Sequence, residues 1–268
     1  MQPMLNTALS VARQTGKLIE RAFDDIDLID VESKGTNDYV TQVDRVAEAS
    51  LIEGIRKRYP NHGFLCEESG LQEGTGDGRD HIWVIDPLDG TTNFIHGVPH
   101  FAISIALKVK GQLEVGLVYD PVKKEEFTAV RGRGAQLNGK RIRVTDRKQL
   151  EGTLLATGFP FRPDQQGILD TYMAIFRDLA ITTAGIRRQG AAALDLAYVA
   201  AGRYDGFWEF GLNEWDIAAG LLLVKEAGGL SGDLKGGMKH LETGDVACAP
   251  PKLFKPLMQT ICRHTIKK

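Results

Sequence analysis

The sequence predicts an α+β fold of layered helices and sheets. Three features carry that expectation. Two stretches near the start repeat apolar residues at helical spacing, the middle reads as short strands with a hairpin signal, and the second half alternates strand with helix. No internal repeat, low-complexity tract or obvious linker interrupts the pattern. Residues 1–268 therefore read as a single domain, with a candidate boundary between halves 1–150 and 151–268.

The first helix runs from about Pro3 to Phe23, where Leu5, Ala8, Leu9, Ala12, Ile19, Ala22 and Phe23 share a face and Pro3 suits the first turn. A second runs from about Thr41 to Tyr59, with Val43, Val46, Ala47, Leu51 and Ile55 in register and Pro60 as its stop. Lys34–Asp38 between them reads as a loop, as does the glycine-rich stretch Gly70–Asp80. Strands follow at Ile82–Ile85, Phe101–Val109, Leu113–Tyr119 and Glu126–Val130. Asn138-Gly139 is a type I′ hairpin signal before a strand at Arg141–Val144. Further on, Thr153–Thr157, Tyr204–Phe210 and Asp245–Ala249 read as strands. Leu169–Leu179, Ala191–Ala201, Ile217–Ala227 and Lys252–His264 read as helices, with Gly202 and Gly228-Gly229 as stops.

The chemistry is concentrated in Trp83-Val84-Ile85-Asp86-Pro87-Leu88-Asp89-Gly90-Thr91-Thr92-Asn93-Phe94. An apolar strand delivers two aspartates three residues apart, and Pro87 stiffens the link between them. Two carboxylates with the Leu88 carbonyl make a hard-cation site of the kind Mg²⁺ uses. The Gly90 and Thr91 amides that follow suit a phosphate. Asp-Pro and Asp-Gly are also ordinary turn pairs, but the full string is far more restrictive than either. Other acids are candidates to join this site: Glu67 of the pair Glu67-Glu68, Asp216 after Trp215, and Asp44. Each has a plainer reading. Paired loop glutamates are usually solvated, Asp216 is placed to cap a helix, and Thr41 with Asp44 has capping-box spacing.

Bulk properties limit the alternatives. With 33 basic and 35 acidic residues the formal net charge is −2, so no global field favours nucleic acid or an anionic membrane. Hydrophobic residues make up 43% and charged residues 25%, as in a water-soluble domain. The cysteines Cys66, Cys248 and Cys262 are odd in number and form no metal-type pair, which suggests reduced thiols in the cytoplasm. Glu67 and Glu68 should raise the Cys66 pKa and make it a poor nucleophile. No secretory leader pattern or membrane-length apolar run is visible.

The string from Trp83 resembles the first signature of the inositol monophosphatase family. Trp215 to Gly229 (W-D-I-A-A-G-L-L-L-V-K-E-A-G-G) resembles its second. Glu67–Gly70 (E-E-S-G) and the segment from Gly190 (G-A-A-A-L-D-L-A-Y-V-A-A-G) extend the likeness over nearly the whole chain. The resemblance implies an αβαβα sandwich of the inositol monophosphatase/fructose bisphosphatase type. It also implies a homodimer, lithium sensitivity, and hydrolysis of inositol monophosphate by a water that two or three Mg²⁺ ions activate.

The same resemblance implies roles for individual residues. Glu67, Asp86, Leu88 (through its carbonyl), Asp89 and Asp216 would hold Mg²⁺, with Lys34 near a third ion. Thr91 and Asp44 would pair beside the attacking water, which Glu67 would help deprotonate. Gly90 and Thr91 would hold the phosphate. Gly190, Ala191, Ala192, Glu209 and Asp216 would contact the substrate, although a glutamate at a strand edge is otherwise usually solvated. Four gathered carboxylates would repel a phosphate, at roughly 4 kcal/mol for each like pair about 4 Å apart in an effective dielectric of about 20. A cation cluster is therefore needed for that substrate to bind. His96 and His100 read as surface or packing residues, and the basic runs Arg141-Ile142-Arg143 and Arg187-Arg188 as solvated faces.

Ala247-Cys248-Ala249-Pro250 and Asn213-Glu214 depart from the family pattern and leave the choice of alcohol open. Other small phosphomonoesters, such as a sugar phosphate or a nucleotide 3′-phosphate, are the same-class alternative. Some bacterial members also associate with RNA or the transcription machinery, which makes a regulatory binding role the alternative of a different class.

Overall fold

The structure is a computed structural model that describes residues 1–26, 31–35, 38–160 and 162–266; for residues 31–35, 38–40 and 164 it describes only the backbone. Helices α1 (Gln2–Asp24) and α2 (Gln42–Arg56) form as the periodicity predicts, and bury Leu5, Ala8, Ala12 and Ile19 against Ala47, Leu51 and Ile55. Val46 is instead 49% exposed. It lies next to Ala47, and neighbouring helical positions point about 100° apart. Helix α2 stops at Arg56 rather than near Tyr59. Pro60 lies four residues on, where its ring would meet the Arg56 carbonyl of a continued helix.

Strands β1 (Val31–Gly35) and β2 (Asp38–Thr41) pair antiparallel, with Gly35 opposite Asp38. The segment expected as the loop Lys34–Asp38 is thus a hairpin end. Thr36, Asn37 and the Lys34 side chain lie outside the described residues, so the role implied for Lys34 finds no structural counterpart here. Next come β3 (Gly63–Cys66), β4 (Gly70–Gln72), β5 (His81–Asp89), α3 (Thr91–Ile95), β6 (Ala102–Val109), β7 (Gln112–Asp120), β8 (Glu125–Val130), β9 (Gly134–Leu137) and β10 (Lys140–Arg141). The expected loop Gly70–Asp80 therefore contains a strand, and β10 is shorter than Arg141–Val144. Asn138 and Gly139 both have positive φ, 49° and 77°, as a type I′ turn requires. These strands form one sheet in the order β10-β9-β8-β7-β6-β5-β3-β4.

The rest of the chain gives β11 (Leu154–Thr157), α4 (Leu169–Ala180), β12 (Gly185–Arg187), α5 (Ala192–Ala200), β13 (Gly206–Glu209), α6 (Glu214–Glu226), β14 (Leu230–Gly232), α7 (His240–Thr243), β15 (Val246–Ala249) and α8 (Pro251–Thr265). A second sheet runs β12-β11-β13-β15-β14.

The apolar faces of these elements dictate the stacking. Helices α1 and α2 share one core with the outer face of the first sheet. Helices α5 and α6 share a second core with strands of both sheets. Helices α4 and α8 cover the far face of the second sheet in a third. The fold is α+β, and its layers run αβαβα. A layer between two sheets must be apolar all round, and every residue of α5 is buried. Close approach within that layer needs glycine: a Cβ on Gly220 of α6 would lie 2.5 Å from the Cβ of Leu196 on α5. Gly220→Ala should therefore destabilise the protein by about 1–3 kcal/mol despite the better helix propensity of alanine. Urea unfolding of Gly220→Ala, alone and combined with Leu196→Ala, checks this, and the pair should cost less than the sum of the single changes.

Candidate active site

Residues three apart on a regular strand point to opposite faces. Asp86 pairs with Ser104 of β6, and Asp89 with Ala102. Three residues on β5 thus span two on β6, so Pro87-Leu88 carries a one-residue bulge. The bulge brings both carboxylates to the same side of the strand end. Each has one oxygen fixed by backbone: Leu88 N–H donates to Asp86 Oδ1 at 2.9 Å, and Ala193 N–H donates to Asp89 Oδ2 at 2.7 Å. The second oxygen of each is the one a hard cation would use.

Asp216 is not an N-cap. Helix α6 starts at Glu214, three residues earlier than its apolar pattern, and Asn213 is the cap. Asp216 occupies the third helical position and accepts the Asn213 N–H through Oδ2 at 2.7 Å. Glu209 ends β13, which lies inside the second sheet between β11 and β15. It is half-buried rather than solvated, and its carboxylate lies against Gly158, where any Cβ would collide with it. Glu67 sits in the three-residue connection from β3 to β4, which closes at Gly70 with φ +70°.

Thr91 opens α3, so the Gly-Thr-Thr-Asn turn is a helix start. Its hydroxyl lies 2.9 Å from Asp44 Oδ1 and 3.0 Å from the Leu88 carbonyl. Asp44 also forms the capping box, since its Oδ2 accepts Thr41 N–H at 2.8 Å and the Thr41 hydroxyl at 2.6 Å. The capping box and the contact with Thr91 are both present, one on each oxygen of Asp44. Gly190, with φ +80°, and Ala191 and Ala192 at the start of α5 face the same site, and Asn93 of α3 donates to the Gln189 carbonyl at 2.7 Å.

These groups line one cavity of about 350 Å³ that contains Glu67, Asp86, Leu88, Asp89, Gly90, Thr91, Gly190, Ala191, Ala192, Glu209 and Asp216. Burial, then repulsion from Glu67, Asp89 and Asp216, pushes the Asp86 carboxyl well above its ordinary value. Burial and Asp216 do the same to Asp89. Burial first, with Glu67 repelling, raises Asp216 to about 7. Burial and Asp216 raise Glu209 to about 8, against the opposing pull of Arg188 and Arg162. The donors are all oxygens, and their crowding disfavours their own charge, so they fit a hard divalent cation that would restore it. Among the described residues no three acids, histidines or cysteines already stand as a closed ligand set. The acids share a cavity without being drawn onto one point.

Three residues here escaped the sequence reading. Asp195 on α5 is buried, lines the cavity, and has an Oδ1 without a hydrogen-bond partner among the described residues. An acid between Leu194 and Leu196 in an otherwise apolar helix was the available signal. Arg162 and Arg188 supply cations on the cavity wall, so the Arg187-Arg188 run is not only a solvated face. Nothing in the pattern around Arg162 marked it.

Other expectations resolve simply. Burial first, and then Glu48 rather than the neighbouring glutamates, pushes the Cys66 thiol up to about 12. His96 is exposed, and His100 is buried beside Tyr198 with its pKa lowered to about 4 by burial and Lys123. Ala247-Cys248-Ala249 is buried strand β15 and does not line the cavity, whereas Asn213 does. Among the described residues no helix is long and apolar enough to cross a membrane.

A five-layer sandwich that gathers acids at the ends of both its sheets is the architecture of one class of proteins, and the sequence places the chain within it. The chain belongs to the inositol monophosphatase family, whose profile matches residues 1–266. It is 61% identical over 264 residues to Nus factor SuhB of Pseudomonas aeruginosa, covering 98% of this chain and 97% of that protein. The crystal structure of extragenic suppressor protein suhB from Bartonella henselae is similar at a TM-score of 0.91 and 42% identity, covering 96% of this chain and 97% of that one. The structure of inositol monophosphatase from Anabaena (Nostoc) is similar at 0.86 and 35%, covering 98% and 96%.

The raised carboxyls predict a pH dependence. In an unfolded chain Glu209 and Asp216 lose their protons near the ordinary 4.5 and 3.8, and in the fold near 8 and 7. Their contribution to stability is fully present below about pH 4 and is lost as pH rises through about 8. The melting temperature of chelator-treated protein should fall between about pH 5 and about pH 8. Saturating Mg²⁺ should flatten the slope, which a thermal-shift series in both conditions measures.

Proposed function

We propose that this protein is a Mg²⁺-dependent phosphoric monoester hydrolase that converts inositol monophosphate to inositol and phosphate. The observation that carries the reading is the acid cavity next to the Thr91–Asp44 hydrogen bond. A volume of about 350 Å³ suits a small ester.

Glu67, Asp86, the Leu88 carbonyl, Asp89 and Asp216 would hold two or three Mg²⁺. When bound, the ions supply charge neutralisation for the phosphate and make a nearby water more acidic. Asp44 takes the Thr91 hydroxyl proton in a hydrogen bond, which leaves the threonine oxygen free to accept from the incoming water. Glu67 takes the proton that the water gives up. The Gly90 and Thr91 amides hold phosphate oxygens, while Glu209, Asp216 and the Gly190–Ala192 turn orient the alcohol. The buried cysteines play no part. Li⁺ is small and hard enough to compete for one of the cation positions, and the active form is a homodimer in the cytoplasm.

A sugar phosphate or nucleotide 3′-phosphate is the same-class alternative. A second reading, association with RNA or the transcription machinery, is favoured by the Nus factor relatives alone. A gel-shift with RNA and a pull-down against transcription proteins test it.

A panel of phosphate esters with and without Mg²⁺ is the primary test: turnover of inositol 1-phosphate should require Mg²⁺ and be inhibited by Li⁺. No turnover of any small phosphomonoester at millimolar Mg²⁺ would overturn the enzyme reading. Thr91→Ala should lower kcat by roughly 10²–10⁴ with little change in KM. Asp44→Asn should do likewise and also lose about 1 kcal/mol of stability through the capping box. Steady-state kinetics of both variants and the double should show clear sub-additivity.

A further inference from the structure

Helix α2 touches the segments that border the cavity at two points one turn apart. Asp44 meets the Thr91 hydroxyl. Four residues on, Glu48 points the same way, as helical spacing demands. It is 4% exposed, and its Oε2 accepts the backbone N–H of Glu68 at 2.9 Å. Glu67 N–H meanwhile donates to the Ile85 carbonyl of β5 at 3.2 Å, one residue before Asp86. The short connection that presents Glu67 is therefore pinned on both sides, by β5 through its first amide and by α2 through its second.

We propose that Glu48 is a positioning residue that fixes the Glu67 arm relative to Thr91 and the Asp86–Asp89 strand end. Without it, the turn between β3 and β4 loses its tie to α2, and the Glu67 carboxylate loses its fixed distance to the other acids. The inference rests on the reading of Glu67 as a Mg²⁺ ligand. What α2 contributes is length, because a rigid helix sets the separation between Thr91, held at one turn, and the Glu68 amide next to Glu67, held at the next. The Glu48 charge is not what the arm needs. An uncharged acceptor at the same reach should serve.

The test separates reach from charge with three variants of the full-length protein. Glu48→Gln keeps an acceptor oxygen at the right distance, Glu48→Asp keeps the charge but falls one methylene short, and Glu48→Ala removes both. Isothermal calorimetry with Mg²⁺ alone should give Glu48→Gln an affinity within about threefold of wild type. Glu48→Asp and Glu48→Ala should lose roughly 10–100-fold, the range for removing a partner that orients a metal ligand. Hydrogen exchange on metal-free protein gives a second readout. The Glu68 amide should exchange faster in Glu48→Asp and Glu48→Ala and stay protected in Glu48→Gln.

If Glu48→Ala does not fold, the Asp and Gln variants still decide. Normal affinity in Glu48→Asp with weakened affinity in Glu48→Gln would make the role electrostatic and overturn the proposal. So would wild-type Mg²⁺ affinity in a folded Glu48→Ala whose Glu68 amide is unprotected. Failure of the wild-type protein itself to bind Mg²⁺ would instead overturn the metal-site reading, and this inference with it.

Discussion

The constraint on which the rest depends is repulsion among carboxylates removed from water. Asp86, Asp89 and Asp195 are buried and Glu209 and Asp216 half-buried around one small cavity, with Glu67 at its edge. A charge in that setting is expensive unless another charge answers it. The protein does not answer it in full: Arg162 and Arg188 oppose the rise at Glu209, yet that carboxyl still ionises only near 8. Once ionised, these acids are held together at a cost to the fold's own stability, a cost that a bound proton or cation would lower. That is the arrangement of a site shaped for its ligand.

Such a site needs a stiff frame, and the five layers provide one. Asp86 and Asp89 come from the first sheet, Glu209 from the second, and Asp216 and Asp195 from the helices between. Backbone amides fix three of these carboxylates at 2.7–2.9 Å. One of those bonds crosses layers, because Ala193 on α5 holds Asp89 on β5. The middle layer is thus part of the site as well as its support. Gly220 lets α6 pack closely on Leu196 of the same helix α5.

Much of this was legible in the sequence, for identifiable reasons. Helical periodicity gave α1, α2 and α8, alternation and Asn138-Gly139 gave the central hairpins, and the two long motifs gave the acid cluster. What stayed hidden depends on contacts between distant residues. Asp44 has the same sequence spacing whether it only caps its helix or also reaches Thr91, 47 positions away. Glu209 looks like a solvated strand end until β15 pairs beside it. The strands β4, β12 and β14, at three residues each, are too short for any periodicity to register. Arg188 reads as surface because two adjacent arginines carry no local sign of a cavity.

The bulge at Pro87-Leu88 also limits how this segment can change. Facing along a strand alternates, so the agreement in direction between Asp86 and Asp89 is a matter of odd and even. One extra residue makes an odd spacing behave as an even one. Loss or gain of a single residue there would turn Asp89 toward the opposite face of the sheet, where Ile85, Ile103 and Ile105 form an apolar core. Substitutions can tune the site gradually, but its length cannot drift. The three-residue spacing of this pair of aspartates is therefore fixed by the pairing of β5 with β6 and not by the local turn alone.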